Sequence, residues 1–486
     1  MFPPVRKRNP MQARLVVFAS LALVMIAPLS AQRAGSLASR QALTTQQAPT
    51  NPAAAPATAS PAATPAPVSP AADAAPNPVI PVTLIRAGRL LDVRKGVYIQ
   101  NAGILVEGER IKEVGVLAEI QPHVPAIARI VDLSKYTVLP GLIDCHTHLM
   151  ARFADADDAY LLTLAKESEG YRALEGAANA RLTLMAGFTT VRDVESEGSG
   201  YADVALRDAI RQGLVQGPRM QVATRGIAAV GQYNPFHVNP DLRDFPTGAA
   251  MISGVEEARR AVREQIGNGA DLIKVYADWN HPTLTFDELL VVVEEAHKAG
   301  LKVAAHATTS DGIRNAVNAG ADSVEHGHGA DQKAMELIRK NNVFLVPTVG
   351  VIDEWADHYT LRGSPNDRKW LDDFLQSIQH ELQMARSLNI RVAAGSDASR
   401  AKEQGKNALE LAGLVRRGFM PIDAIRAATV NAAELMSWQD RVGSLEPGKY
   451  ADIIAVEGDP LTDVTTLQRV RVVIKGGETV KDETHP

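Results

Sequence analysis

The segment from Val138 to Met150, VLPGLIDCHTHLM, is an apolar run with strand-like alternation that places His146 and His148 two residues apart. On a strand that spacing turns both imidazoles to one face. Two neutral ring nitrogens aimed the same way form half of a site for a borderline cation such as zinc. Donors for the other half stand far along the chain: Lys274 in DLIKVYA, His306 in KVAAHAT, His326 in SVEHGHG and Asp397 in RVAAGSDA, each near the end of a further short apolar run. A lone histidine at a strand end is ordinarily a hydrogen-bonded structural residue, so the weight lies in His306 and His326 arriving on consecutive runs at equivalent depth. Lys274, flanked by Ile273 and Val275, would be costly to bury as an ammonium unless neutralised or modified. Two readings of it stand. One is an ion pair with a carboxylate such as Asp193 or Asp397; the other is a neutral amine that takes up carbon dioxide and becomes an anionic carbamate able to bridge two cations. Asp397 reads either as a carboxylate orienting a histidine or as a ligand that also carries a proton.

Such residues need a frame that brings several strand ends to one place. Eight apolar runs, at 138–148, 189–194, 220–225, 272–277, 303–308, 323–327, 343–349 and 392–397, alternate with helical periodicity such as GVEEARRAVREQIGNG. Eight repeats over about 300 residues predict an α/β fold, a (β/α)8 TIM barrel over 138–438. Reactive groups in such barrels gather at the carboxyl ends of the strands, and the six candidates fall on strands one, one, four, five, six and eight. An open doubly wound sheet is the alternative, but no Gly-rich phosphate loop follows an early strand. Alternating segments punctuated by glycines at 80–137, and again at 439–486, predict a small β-sandwich built from both chain ends.

The 486 residues are 45% hydrophobic, ample for a large core, and the formal charge of -5 gives no basic stripe for nucleic acid. Cys145 is the lone cysteine, so no intramolecular disulfide forms. Arg6, Lys7, Arg8 and Arg14 precede an apolar segment at 15–29 that ends in Ser30 and Ala31. This reads as a signal peptide over 1–31 and predicts a periplasmic or secreted protein without stable membrane insertion. A retained anchor is the other reading, but the segment falls short of the roughly 20 residues that span a bilayer. Residues 32–79 are Ala, Pro, Thr and Gln in low-complexity order, a disordered linker.

The chain resembles the amidohydrolase superfamily, and within it the imidazolonepropionase-like and Xaa-Pro-dipeptidase-like enzymes. The motifs that carry the resemblance are PGLIDCHTH (140–148), AGFTTVRDV (186–194), GPR (217–219), GADLIKVYAD (269–278), AAHATTSDGIRNAVNAGADSVEHG (304–327), AAGSDA (393–398), and NAAELM through SLEPGKYADIIAV (431–456), in family order. The resemblance implies a binuclear site holding two divalent metal ions, zinc first and manganese or another divalent ion as alternatives. His146, His148 and Asp397 would hold the more buried ion and His306 and His326 the second, with carboxylated Lys274 as the bridging ligand. Two such cations would share a water and bring its pKa to about 7, and Asp397 would be the catalytic group, a general base that becomes a general acid. Relatives of this kind often form homo-oligomers.

The chain departs from its relatives after the third strand, where TRGIAAVGQYNPFHVNP stands in place of a Gly-Gly-His-Gly segment. Candidate substrate contacts are therefore Tyr233, as a donor to the oxyanion or a rim residue; His237, as a replacement imidazole; Arg225 and Tyr276, for a substrate carboxylate; and His328, two residues after His326. Arg192 and Asp193 are expected to form an internal ion pair. The reading that results is a metal-dependent amidohydrolase cleaving the amide (C–N) bond of a small-molecule or dipeptide substrate, either a dipeptide or an N-acyl amino acid. A cyclic amidohydrolase and a non-catalytic ligand-binding barrel are the rivals.

Overall fold

The computed structural model describes residues 80–154, 159–233, 239, 241, 245–279, 282–362 and 365–484. The expected signal peptide and linker, and His237, lie outside the described residues. The chain enters through four strands, β1 (Val82–Asp92), β2 (Val97–Glu107), β3 (Arg110–Val116) and β4 (Arg129–Pro140). Nine short strands follow: β5 (Leu142–Thr147), β6 (Phe188–Asp193), β7 (Arg219–Val222), β8 (Gly226–Ala229), β9 (Ala249–Ile252), β10 (Leu272–Tyr276), β11 (Lys302–Ala307), β12 (Ser323–His326) and β13 (Phe344–Val346). The chain ends with β14 (Ile453–Val456), β15 (Val470–Lys475) and β16 (Glu478–Asp482). The fold is α/β.

The two chain ends share one seven-stranded sheet of order β16-β15-β14-β4-β1-β2-β3, with Val138 opposite Ala455 across the β4–β14 pair. Alternation sends Ile85, Ala87, Ile104, Val106, Ile453 and Ile474 to one apolar cluster, so period-2 patterning from both termini builds a single core. The run at 138–148 is divided. Its first three residues belong to β4, His146 belongs to β5 and His148 follows just after it. Gly141 makes the break, since a Cβ there would lie 2.2 Å from Thr189 Oγ1, while its N–H donates to Asp452 O at 2.8 Å.

The middle strands form a parallel sheet of order β13-β12-β11-β10-β8-β9 and a second of order β5-β6-β7. Helices cover them as the patterning expects. In Phe286–Lys298, Leu289, Val292, Val293 and Ala296 are buried, and Thr285 with Glu288 closes a capping box at the N-terminus. The four-residue strands β8 and β9, GIAA and AAMI, escape sequence reading because they are too short and small-sided for a periodic signal. The run at 392–397 makes one bridge, Val392 to Leu345, and then bonds to β5: Cys145 N–H donates to Ala394 O and Asp397 N–H to His146 O, each at 2.8 Å. On the far side, Asp271 N–H donates to Val222 O at 2.8 Å, joining the start of β10 to β7.

Gly395 lets that last segment reach β5. A Cβ there would sit 2.6 Å from His146 Cβ and 2.5 Å from Val346 Cγ1. Gly395→Ala is expected to destabilise the protein by about 1–3 kcal/mol through overpacking, read as a lowered denaturation midpoint with unchanged m-value.

Candidate metal centre

All six donors converge on one cavity of about 460 Å³: His146, His148, Lys274, His306, His326 and Asp397. The imidazoles form a chain of rings with centroid separations of 5.2 Å (His146–His148), 5.0 Å (His146–His326) and 4.7 Å (His306–His326). Asp397 is the shared neighbour, its Oδ1 3.2 Å from His148 Nε2 and 3.7 Å from His146 Nε2, and its Oδ2 3.9 Å from His326 Nδ1. His146, His326 and Asp397 each offer a ligand atom within 4.8 Å of the others, which fits one ion. Burial holds the His146, His306 and His326 imidazoles well below the ordinary histidine range, which favours the neutral ring that a metal ligand requires.

The rings are oriented from behind. His146 Nδ1 lies 2.7 Å from Glu325 Oε2, and Arg192 clamps the same carboxylate with Nη2 at 2.8 and 2.9 Å. Ser323 Oγ also donates to Glu325. His148 Nδ1 lies 2.7 Å from Glu197 Oε1. The expected Arg192–Asp193 pair does not form, because consecutive residues of β6 face opposite sides of the sheet. Arg192 crosses to Glu325, and Asp193 Oδ1 accepts Leu149 N–H at 3.2 Å. Asp144 ties the two ligand segments together, its Oδ1 accepting the N–H groups of His146 and Ser396 at 3.0 Å each. Asp278 accepts the N–H groups of Thr308 and Thr309 at 2.8 Å and fixes the turn beyond His306.

Lys274 is 1% exposed at the centre of β10. Among the described residues no carboxylate lies within 4.0 Å of its Nζ, so neither Asp193 nor Asp397 pairs with it. Burial lowers its pKa, against the pull of Glu325, Glu195 and Asp397.

Of the substrate-contact candidates, Tyr233, Tyr276 and His328 line the cavity. Both tyrosine hydroxyls donate to Glu195, Tyr233 at 2.5 Å, so their protons are already engaged. Glu195 is fully buried, and burial together with Glu197 pushes its pKa up to about 7 against those two hydrogen bonds. His328 Nε2 donates to Pro347 O at 2.8 Å, and burial takes its pKa down to about 4. Arg225 is not among the lining residues; its guanidinium donates to Ala249 O at 2.8 Å. Residues missed by sequence reading complete the cavity, above all the rings of Phe153, Tyr160, Trp279, Trp355, Trp370 and Phe374.

Glu325→Gln tests the support behind His146. Zinc affinity, read by competition with a chromogenic chelator, is expected to fall about 10–100-fold. Leaving Arg192 buried beside a neutral amide should cost about 3–5 kcal/mol of stability in denaturant titration.

Residues 137–480 match the amidohydrolase family. Ochratoxinase of Aspergillus niger is 32% identical over 436 residues, covering 82% of this chain and 87% of the relative. The crystal structure of a Xaa-Pro dipeptidase with bound methionine in the active site has a TM-score of 0.75 at 32% identity, covering 82% of this chain and 100% of the other. Imidazolonepropionase of Bdellovibrio bacteriovorus is 23% identical over 397 residues, covering 77% of this chain and 87% of the relative. With 344 of its 486 residues matched, from Thr137 to Val480, this chain belongs to the amidohydrolase family of hydrolases.

Proposed function

We propose that this chain is a binuclear metal-dependent hydrolase that cleaves the amide bond of a dipeptide or N-acyl amino acid. The observation that carries the reading is Lys274. A lysine in the interior without a carboxylate within ion-pair distance among the described residues, facing four histidines and Asp397, fits a neutral amine that would take up carbon dioxide, lose a proton and become an anionic carbamate ligand. Its frame is a (β/α)8 barrel in this reading, with β5, β6, β7, β10 to β13 and the 391–397 segment as staves. The backbone bonds from Asp271 to Val222 and from Cys145 to Ala394 support closure on its two sides.

His146, His148 and Asp397 would hold one ion and His306 and His326 the other, with Lys274 shared; imidazole and carboxylate donors in a hydrolase favour zinc. Bound there, the ions supply Lewis-acid activation of a water and of the scissile carbonyl. Glu325 and Glu197 hold the His146 and His148 rings by Nδ1 and leave each Nε2 facing Asp397. Asp397, with its side chain 22% exposed to the cavity, receives the proton of the attacking water and delivers it to the departing nitrogen. The Ochratoxinase and Xaa-Pro dipeptidase relatives support an amide substrate. The basic and apolar residues at 6–29 support export to the periplasm or beyond, and we also propose a homo-oligomeric assembly.

Zinc-reconstituted protein should release free amino acids from a panel of dipeptides and N-acyl amino acids; turnover confined to cyclic amides would overturn the substrate assignment. Asp397→Asn should retain part of the bound metal and lose about 10²–10⁴-fold in kcat. Lys274→Ala should lower the metal content by elemental analysis from two ions per chain toward one, and two retained ions with full turnover would sink the bridging role.

A further inference from the structure

Beyond the donors lies a second built feature of the cavity, centred on Glu195. This residue stands two positions past β6, is fully buried, and accepts the hydroxyls of both Tyr233 and Tyr276, which come from different parts of the chain. Two glycines keep the space for it. A Cβ on Gly248 would lie 2.1 Å from Glu195 Oε1 and 2.7 Å from Tyr233 Oη, and one on Gly226 would lie 2.8 Å from Tyr276 Cε2. The tyrosines so held meet edge to face at 4.9 Å, and Trp279 packs on both, at 5.8 Å from Tyr233 and 5.4 Å from Tyr276. Trp279 in turn stacks on His306 at 4.9 Å with only 11° between the planes. Three of the four tryptophans in the sequence, Trp279, Trp355 and Trp370, face this one cavity.

We propose that Glu195 is a specificity-determining positioning residue: by gripping both tyrosine hydroxyls it sets Tyr233, Tyr276 and Trp279 as a rigid wall that receives a planar aromatic group of the substrate beside His306. The proposal rests on the amide-hydrolase reading and deepens it to N-acyl amino acids or dipeptides bearing an aromatic ring. Rings that already satisfy one another through a buried carboxylate offer π-faces and edges to a ligand, which favours stacking partners over flexible aliphatic ones. With both hydroxyl protons directed at Glu195, the wall recognises by shape and stacking.

The test compares N-benzoyl- and N-acetyl-amino acids on full-length, zinc-reconstituted protein. It also follows binding of N-benzenesulfonylglycine, a sulfonamide that resists hydrolysis, by quenching of tryptophan fluorescence. Glu195→Ala is expected to reduce the benzoyl-over-acetyl ratio of kcat/KM about tenfold, carried by KM, and to weaken the sulfonamide by a similar factor; Glu195→Gln, which can still bond both hydroxyls, should restore most of each. Should Glu195→Ala fail to fold, the Tyr233→Phe/Tyr276→Phe pair carries the same expectation. An equal loss on both substrate kinds, or a fall in kcat with sulfonamide binding untouched, overturns the proposal. Absence of amide hydrolysis in the parent protein, with the sulfonamide still bound and released by Glu195→Ala, counts against the hydrolase reading and upholds the wall.

Discussion

An imidazole has two nitrogens and can give a metal only one, so a cluster of histidines works as a ligand set only when something else holds the other nitrogen. In this protein that constraint is met at His146 by Glu325, a carboxylate with no exposure to solvent that touches Arg192, Ser323 and His146 at once. The Arg192 guanidinium makes burial of the carboxylate tolerable, and the carboxylate in turn orients the ring. Remove the pair and His146 loses the contact that orients its ring, although none of the candidate donors has changed.

A similar division of labour shows in the backbone. Glu197, His326, Thr348 and Asp397 all adopt positive φ, between 52° and 69°, without being glycine. Each lines the cavity, His326 at the end of β12 and the others beyond regular strand; Asp397 is held by its N–H to His146 O, and His326 by Nδ1 to Thr348 Oγ1 at 2.8 Å. Left-handed backbone at such positions is unfavourable in isolation and persists where the neighbourhood over-determines it. It re-aims the side chain from the alternation of the strand toward the cavity, so His326 joins the donors while Glu325, one residue before, serves behind them.

Much of this was legible because it is local. The His-x-His spacing, the helix periodicity of 255–267 with Ala258, Ala261 and Val262 buried, and the alternation at both chain ends need only neighbouring residues to be read. What stayed hidden depends on register between strands. Arg192 and Glu325 are 133 residues apart and meet only because their strands face across the interior. Glu195 carried no signal in VRDVES, since its partners Tyr233 and Tyr276 come from elsewhere in the chain. The aromatic rings of Trp355, Trp370 and Phe374 reach the cavity from helices whose periodicity says which side is apolar, not what that side faces.

Gly141 alone separates β4 from β5, and β4 is flanked on one side by β14, whose residues lie more than 300 positions downstream. On a ribosome, His146 and His148 therefore emerge early, just past a strand that can already pair with β1 but lacks its second neighbour until 453–456 have been made. β5 can pair with β6 soon after it is made, but the β14 edge of the sheet that leads into it is completed only late in synthesis.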